Sequence, residues 1–462
     1  MIELNLNEIL IAVHGKIVYP EVMTPQEIDE LMTRDLANIT YDSRYVVQNS
    51  LFIGLKGERF DGHDFVEYIY ERLAAAVVER KIDVPVTQII VESTYAAVGM
   101  IGAYIRQKSC IKVVGITGSV GKTSVKELTA CVLGNNYSIL KTKGNHNNEL
   151  GLPATLFELE RKNKIAVLEM GISHFGEMTR LSAIAKPDIA IFTNIENVHT
   201  EHLIDRDGVL RAKTELVQNM WGDTLILNGE DDKLAGYKVP EGKRAVYYGL
   251  TENCTVTAED INYRSMGCTE FTIVCPSGKV RVYLPAPGRH MVVNALAAAA
   301  CGLEMGMPLS DIKYGLEKFE AVPGRMRRLR WRNALILDDC YNASPASTKA
   351  SLNILGAQPG RRIAILGDML ELGDNAVELH RSVGEAAAAE HIDALIAVGT
   401  LSLNTADAAK KAGLKKVFTT DRDGALEMIL NNTRKGDTIL IKGSRGMALD
   451  RIIDMILETE KL

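Results

Sequence analysis

The 462-residue sequence lacks the features that mark several other classes of protein. Its seven cysteines are an odd, scattered set, without a C-x-x-C pair or zinc-ligand spacing, which suits free thiols in a reducing cytosol and argues against a structural zinc site. The net charge is −6, so the basic excess typical of nucleic-acid-binding proteins is missing. No apolar run approaches the roughly 20 residues that cross a bilayer, and the N-terminus, MIELNLNEIL, is acidic where a secretory signal would be basic. We therefore expect a cytoplasmic protein with no membrane span and no nucleic-acid partner.

The length and the hydrophobic pattern predict three α/β domains. Since domains usually contain about 100–200 residues, we place an N-terminal α/β module at 1–107, a central module at 108–320 and a C-terminal module at 321–462. The first mixes a strand-like run (SLFIGLKG) with a helical one (FVEYIYERLAAAVVER). The central module alternates helices with the short strands IKVVGIT, IAVLEM, DIAIFTNI, DTLILN and AVYYG, which favours a mainly parallel sheet.

The C-terminal module repeats this alternation. ALILDDC, RIAILGDM, ALIAVG and DTILIKG are typical of buried strands, and helix-like segments such as SPASTKASLNIL and AVELHRSVGEAAAA follow them. This pattern predicts a second, doubly wound sheet of the Rossmann type.

A phosphate-binding loop lies directly after the first central strand. In GITGSVGKTS, at 115–124, glycines allow backbone N–H groups to point at phosphate oxygens, Lys122 adds a positive charge and Thr123 offers a hydroxyl to Mg²⁺. The generic loop has a glycine where Ile116 stands, so the spacing departs from the usual form. The flanking strand and helix still predict that this P-loop ATPase-like module binds a nucleoside triphosphate.

Several charged residues follow strands of these sheets, where ligands of α/β proteins collect. Glu169 and His199 come after two central strands, and either residue can serve Mg²⁺ or be structural; two cations would neutralise a transferring phosphoryl group. By itself, Lys213 in VLRAKTEL reads as a solvent-facing helical lysine. Arg325 belongs to a basic run that is either a solvated surface or a contact to the γ-phosphate. Asp338 and Asp339 can cap a strand, or one of them can bind a ribose hydroxyl.

Taken together, these segments resemble the Mur ligases of bacterial cell-wall synthesis. The resemblance rests, in order, on GITGSVGKTS, TKGNHNNELGLP, LEMGISHFGEM, TNIENVHTEHL, RAKTEL, PGRHMVVNALAAAA, GRM and LDDCYNASPAS, and it covers nearly the whole chain. Within the family, DDCYNASP, GDMLELG and IKGSRGM are similar to the members that add D-alanyl-D-alanine to a UDP-N-acetylmuramoyl-tripeptide. The N-terminal DSRYVVQNSLFIGLKGERFDGHDF is similar to both these members and the sister ligases that add the third residue, and it implies a uridine-nucleotide module.

The resemblance implies a role for individual residues. It implies that the triphosphate is cradled by Thr117, Gly118, Ser119, Val120, Gly121, Lys122, Thr123 and Ser124. It further implies that Asn294 lies near the adenine, that Arg325 reaches the γ-phosphate, that Asp339 contacts the ribose, and that Tyr341 and Asn342 border the ATP site. Ser43 and Arg44 match the uridine-diphosphate contact. The implied metal set is Thr123, Glu169, His199 and Lys213, the last as a carbamate. The implied catalytic residues are Lys122, Lys213, His199 and Arg325.

The implied activity is ATP-driven formation of an amide through an acyl phosphate. The expected substrates are ATP, UDP-N-acetylmuramoyl-tripeptide and D-alanyl-D-alanine, with two Mg²⁺ ions, and we expect a monomer. Two alternatives remain: the sister ligase that adds the third residue, although its DYAH-like and DNPR-like segments are missing here, and a P-loop kinase or ATPase switch. Whether the third residue of the tripeptide is diaminopimelate or lysine stays open.

Overall fold

The computed structural model describes residues 2–21, 23–198, 200–264 and 267–459. Within these ranges the strands form four sheets, and helices cover the three larger ones. The predicted α/β class is confirmed. No helix in the described ranges combines the length and the apolar character needed to cross a membrane.

The N-terminal part is built on a five-stranded sheet. Its strands are β1 (Lys16–Val18), β2 (Asn38–Thr40), β3 (Ser50–Ile53), β4 (Leu73–Val78) and β5 (Gln88–Ile90). Its helices are α1 (Leu6–Val13), α2 (Pro25–Thr33), α3 (Val66–Ile69) and α4 (Thr94–Ser109), with 3-10 turns at Ser43–Tyr45, Gly62–Phe65 and Tyr70–Arg72. The strand order is β1-β5-β4-β3-β2, and only the β1–β5 pair is antiparallel.

The central part contains a six-stranded parallel sheet and a smaller antiparallel one. The parallel strands are β6 (Lys112–Thr117), β7 (Ile139–Lys141), β8 (Ile165–Glu169), β9 (Ile189–Phe192), β10 (Thr224–Asn228) and β11 (Arg244–Tyr248), in the order β11-β10-β9-β6-β8-β7. The antiparallel strands, which the sequence pattern did not predict, are β12 (Thr257–Arg264), β13 (Cys268–Cys275) and β14 (Gly278–Leu284). The helices are α5 (Lys122–Leu133), α6 (Gly151–Phe157), α7 (Glu177–Ala185), α8 (Thr200–Leu203), α9 (Arg206–Thr214), α10 (Asp232–Ala235), α11 (Arg289–Glu304) and α12 (Leu309–Glu317), with a 3-10 turn at Glu215–Asn219.

The C-terminal part is the expected doubly wound sheet with one added antiparallel edge strand. Its strands are β15 (Arg327–Trp331), β16 (Ala334–Asp338), β17 (Arg362–Gly367), β18 (Ala394–Val398), β19 (Val417–Thr420) and β20 (Thr438–Lys442), in the order β15-β16-β20-β17-β18-β19. Its helices are α13 (Pro345–Gly356), α14 (Ala376–Ala389), α15 (Ser402–Lys411), α16 (Arg422–Asn432) and α17 (Asp450–Glu458), with 3-10 turns at Gly373–Asn375 and Arg445–Met447. The basic run after Arg325 forms β15, which pairs antiparallel with β16.

One hydrophobic core joins the N-terminal and central parts. It runs without interruption from Leu6 and Ile53 in the first sheet to Leu168 and Phe192 in the second, and α4 packs between them against α6 and α7. Near the end of α4, the buried Arg106 donates hydrogen bonds to backbone carbonyls of α7 and the turn that follows it. Two separate cores cover the faces of the C-terminal sheet.

One secondary-structure prediction is wrong. The run FVEYIYERLAAAVVER is not a single helix, because only Val66–Ile69 is α-helical and 73–78 is strand β4. β4 pairs with both β3 and β5, and its last five residues are buried. A strand covered on both faces has no alternating pattern, and its alanines have a high intrinsic helix propensity, so the sequence signal was helical.

Candidate active site

The phosphate loop connects β6 to α5 in the predicted position. Gly118 and Gly121 have φ values of +145° and +85°, which residues with a Cβ rarely adopt. A Cβ at Gly118 would also lie 1.9 Å from the Thr193 hydroxyl. The segment after β9 fixes the loop, because the N–H of Val120 donates to the side chain of Asn194 at 2.8 Å. The loop therefore places its backbone and the N-terminus of α5 at one edge of the sheet.

Lys122 and Thr123 open α5 beside this loop. The Lys122 ammonium donates to the carbonyl oxygens of Gly118 at 2.8 Å and Ser119 at 3.3 Å. Burial lowers the pKa of Lys122, nearby Glu169 counteracts this shift, and nearby Arg325 adds to it. A polyphosphate in the loop would favour the charged ammonium, as expected of a nucleotide-binding lysine.

Glu169 ends β8 with a carboxylate prepared for a cation. It is buried, and its Oε1 accepts a hydrogen bond from the Asn147 amide at 2.9 Å. Its Oε2 is buried without a hydrogen-bond partner, and the nearest described ion-pair contact is the Lys126 ammonium at 3.9 Å. Since buried polar atoms are rarely unsatisfied, this orphaned oxygen fits a metal ligand.

The structure describes only some of the residues predicted to bind the metal. Thr123 and Glu169 lie in the same cavity, whereas His199 falls outside the described residues. In the described ranges no three side chains of the His, Cys, Asp and Glu types form a metal-binding cluster. The oxygens of Thr123 and Glu169 nevertheless suit Mg²⁺, which binds few protein ligands and takes the rest from water and phosphate.

The interpretation of Lys213 as a solvent-facing lysine is wrong. Its side chain in α9 is 1% exposed, and no described residue forms a hydrogen bond or ion pair with its ammonium. Burial, followed by the positive charge of Lys122, sets the pKa of Lys213 well below its usual value. Burial therefore favours the uncharged form of this amine, which is its nucleophilic form.

Arg325 connects the central and C-terminal parts. Its guanidinium donates to the Thr123 hydroxyl at 3.3 Å and stacks on the Tyr341 ring at 4.1 Å from the centroid. Arg445 lies over the same ring at 5.8 Å, so one aromatic side chain is flanked by two cations. The Nε of Arg325 is buried without a partner. This arrangement gives the cavity strong anion-binding capacity.

The other predicted nucleotide contacts lie around the same cleft. Asn294 in α11 faces the phosphate loop, since a Cβ on Gly121 would lie 3.1 Å from its amide oxygen. Tyr341 and Asn342 line the cavity. Asp339 is buried, with its carboxylate accepting from Lys442 at 2.6 Å, Ser351 at 2.7 Å and the N–H of Met326 at 3.2 Å. The expected ribose contact of Asp339 stays a prediction.

Ser43 and Arg44 are in a different place, on the 3-10 turn after β2. The Arg44 side chain is 81% exposed, and its guanidinium pairs with Asp42 at 2.6 Å. Neither residue lines the cavity at the phosphate loop. A substrate that contacts both places must extend from the N-terminal sheet to the central one.

A cavity of about 700 Å³ brings the central and C-terminal residues together. Lys122, Thr123, Glu169, Arg325 and Tyr341 line it, and Tyr95 reaches it from the N-terminal part. Four other residues near this cavity had no role predicted from the sequence. They are Asn147, His174 and Arg445 on its wall, and Lys126 beside Glu169. Asn147, His174 and Arg445 belong to quoted motifs, but sequence spacing did not show that their side chains converge.

The segment GDMLELG contributes part of the cavity wall through Leu370, Glu371 and Leu372. Buried His380 fixes this loop, because its Nε2 accepts from the N–H of Met369 at 3.0 Å and its Nδ1 lies 2.7 Å from the carbonyl oxygen of Ala376. Burial lowers the pKa of His380, although the Ala376 contact opposes this shift. The uncharged ring can donate through Nδ1 and accept through Nε2, which matches both contacts.

Family models match three parts of the chain. Residues 35–98 match the Mur ligase family catalytic domain, 116–302 the Mur ligase middle domain, and 324–445 the Mur ligase glutamate ligase domain. The matched ranges do not test the domain boundaries predicted at 107/108 and 320/321, which stay predictions.

Similar proteins match along nearly their whole length. UDP-N-acetylmuramoyl-tripeptide--D-alanyl-D-alanine ligase of Escherichia coli is 38% identical, covering 91% of this chain and 93% of its own. The Bacillus subtilis protein of the same name is 35% identical, with coverages of 94% and 98%. A crystal structure of MurF from Acinetobacter baumannii superposes with a TM-score of 0.88 at 32% identity, covering 99% of both chains. MurF from Thermotoga maritima in complex with ADP has a TM-score of 0.82 at 28% identity, covering 94% of this chain and 99% of its own.

Proposed function

Because this chain belongs to the Mur ligase family, we propose that it is the ATP-dependent ligase that joins D-alanyl-D-alanine to UDP-N-acetylmuramoyl-tripeptide. The products are UDP-N-acetylmuramoyl-pentapeptide, ADP and phosphate. The observation that carries the proposal is the cavity in which Lys122, Glu169 and Arg325 converge from two parts of the chain. The names of full-length relatives support this choice of substrates over those of the sister ligase.

In the first step, the terminal carboxylate of the tripeptide attacks the γ-phosphate of ATP. A new carboxyl–phosphorus bond forms, the bond to ADP breaks, and an acyl phosphate results. The backbone of the phosphate loop and Lys122 hold the phosphates, and the Arg325 guanidinium is placed to bind the transferring group. The walls from both parts keep water from the intermediate.

In the second step, the amine of D-alanyl-D-alanine attacks the activated carbonyl and releases phosphate. Leu370 and Leu372 offer apolar contacts of the kind that suit alanine methyl groups, and Arg445 offers a cation for a carboxylate on the same cavity wall. The segment GDMLELG is therefore the first to be tested for dipeptide binding. Bringing this wall onto the central part would couple domain closure to chemistry.

Two Mg²⁺ ions and a modified lysine complete the proposed site. Thr123, Glu169 and His199 would hold the metal, which supplies charge neutralisation on the transferring phosphoryl group. Lys213 would add its uncharged amine to CO₂, forming an N–C bond and releasing a proton. The resulting carbamate carries a negative charge that supports Mg²⁺, whereas an ammonium at this position would repel the ion. The buried, unpaired Oε2 of Glu169 and the buried Lys213 amine support this part of the proposal.

The proposal also includes the places where the substrates bind and the organisation of the protein. The uridine nucleotide binds near Ser43 and Arg44, and ATP lies between the central and C-terminal parts, with Asn294, Asp339, Tyr341 and Asn342 around it. The protein acts as a cytoplasmic monomer with domains at 1–107, 108–320 and 321–462.

Substrate-dependent phosphate release tests the proposal. The purified protein is given ATP, either the UDP-tripeptide or the UDP-dipeptide, and either D-alanyl-D-alanine or one of a panel of single amino acids. We expect release only when the UDP-tripeptide and the dipeptide are both present. Release with a single amino acid and the UDP-dipeptide would indicate the sister ligase, stable phosphorylation of a product would indicate a kinase, and hydrolysis without acceptors would indicate an ATPase switch.

A further inference from the structure

The reaction proposed above needs a proton acceptor, and the residues assigned so far are placed on the phosphates or the metal instead. A neutral amine that attacks a carbonyl becomes positively charged and must lose a proton to give an amide. His174 follows β8 in the segment GISHFGEM, and its ring lines the same cavity as Lys122, Glu169 and Arg325. Its side chain is 56% exposed, so it is accessible to molecules that enter this cavity.

Glu177 orients the His174 ring. The carboxylate of Glu177 accepts hydrogen bonds from the N–H groups of Ser173 at 2.7 Å and His174 at 3.1 Å, and its Oε1 lies 3.2 Å from Nδ1 of the His174 ring. Burial raises the pKa of Glu177, but these hydrogen bonds outweigh the burial and lower it overall, so the group is a carboxylate. A carboxylate at Nδ1 keeps a proton there and leaves the lone pair on Nε2.

Among the described residues, none forms a hydrogen bond with Nε2 of the His174 ring. The ring of His202 stacks on it, with centroids 4.1 Å apart and planes 28° apart. Nearby charged side chains are committed to each other, since Arg180 pairs with Glu149, whose second oxygen is 3.5 Å from the Tyr95 hydroxyl. Among the described cavity residues, His174 thus combines an imidazole, a paired carboxylate and access to the substrates.

We propose that His174 is the general base of the amide-forming step, oriented by Glu177. As the amine nitrogen of D-alanyl-D-alanine attacks, the C–N bond forms and the excess proton on nitrogen passes to Nε2 of His174. The bond between the acyl carbon and the phosphate oxygen breaks, and its electron pair leaves with inorganic phosphate. The imidazolium then releases its proton to solvent. This inference rests on the proposed function, and it adds the residue that manages the proton.

The test compares two acceptors on one enzyme. Hydroxylamine is largely neutral at neutral pH and attacks acyl phosphates without a base, giving a hydroxamate, whereas D-alanyl-D-alanine requires the proton transfer. With ATP and UDP-tripeptide present, wild type should form both the hydroxamate and the pentapeptide. Absence of UDP-tripeptide-dependent hydroxamate in wild type would overturn the proposed function itself, independently of the role of His174.

H174Q should separate the two acceptors. We expect its kcat with the dipeptide to fall about 10²-fold or more, the usual contribution of a general base, while hydroxamate formation changes less than about threefold. The matched control H391Q removes an exposed histidine of the C-terminal part that does not line the cavity, and it should retain both rates within about threefold. Equal losses of both rates in H174Q, or a higher KM with an unchanged kcat, would overturn the assignment. It would also be overturned if E371Q, which changes a carboxylate on the cavity wall, lost activity with the dipeptide alone while H174Q did not.

Discussion

The Arg325 guanidinium lies 3.3 Å from the hydroxyl of Thr123, although 202 positions separate the two residues in the chain. Thr123 belongs to the phosphate loop, and Arg325 directly precedes the C-terminal sheet. The contact therefore reports whether the C-terminal part is closed on the nucleotide-binding part. It also places a guanidinium beside a hydroxyl expected to face Mg²⁺ and phosphate.

The first prediction concerns this contact. R325A should lower kcat by about 10²–10³-fold, the loss typical when a preorganised donor to a developing charge is removed, with little change in thermal stability. Steady-state phosphate release and a melting curve measure both effects. R330A, an exposed arginine in the adjacent strand, is the control and should behave like wild type. An R325A enzyme with wild-type kcat would contradict the assigned role.

The second prediction concerns the orphaned oxygen of Glu169. E169Q keeps an acceptor for the Asn147 amide but removes the negative charge. Because charge stabilisation by a metal is worth several kcal/mol, we expect activity to fall by about two orders of magnitude and the Mg²⁺ concentration for half-maximal activity to rise. Titration of phosphate release with Mg²⁺ measures this. The surface change E241Q is the comparison, and an unchanged Mg²⁺ dependence in E169Q would argue against a metal ligand.

The third prediction concerns modification of Lys213. Protein equilibrated with ¹³C-bicarbonate should show one carbamate carbonyl signal that is missing in K213A, and K213A should be inactive. Activity of wild type should fall in CO₂-depleted buffer and recover when bicarbonate is added. K238A changes an exposed lysine and should keep both the signal and the activity. Equal activity with and without bicarbonate would count against the carbamate.

The fourth prediction concerns the pH dependence of stability through His380. Burial makes its folded-state pKa lower than the ordinary value of 6.5. Above about pH 6.5 the ring is neutral in both states and contributes no pH dependence. Below it, the unfolded chain takes up a proton that the folded state resists, so the free energy of unfolding decreases by up to about 1.4 kcal/mol per pH unit.

Unfolding in urea at pH 8 and pH 5.5 measures this effect. H380Q should be less stable than wild type at pH 8 but should lose less further stability at pH 5.5. H391Q removes an exposed histidine and should keep the wild-type dependence on pH. Identical pH dependence in H380Q and wild type would show that His380 is not the group responsible.

The sequence predicted the elements that repeat a strong local pattern. β6, β8 and β16 are short, largely apolar and mostly buried, and each lies where its pattern indicated. The sheet formed by β12–β14 and the edge strand β15 were missed, because partly exposed antiparallel strands carry weaker patterns. β4 was misjudged because its alanines favour a helix until neighbouring strands bury them.

The candidate site shows the same division. The phosphate loop is a local motif, so its GKTS sequence and its flanking strand and helix were enough to predict the roles of Lys122 and Thr123. The burial of Lys213 could not be predicted, because it depends on how α9 packs, and the structure corrected the solvent-facing interpretation. His174 and Glu177 are close in the sequence, but the role proposed for the pair depends on a cavity that distant segments of the chain form.

The hydrophobic core that α4 shares with the central part affects where the chain can be cleaved and how it unfolds. A protease that attacks flexible connections should find none at 107, where the chain is held against α6 and α7, and should cut more readily near 320. In a calorimeter, residues before that point should melt in a single cooperative transition. The proposed uridine-nucleotide site near Ser43 and Arg44 and the phosphate loop would then keep a constant separation during turnover, so the peptide part of the proposed substrate would have to span it.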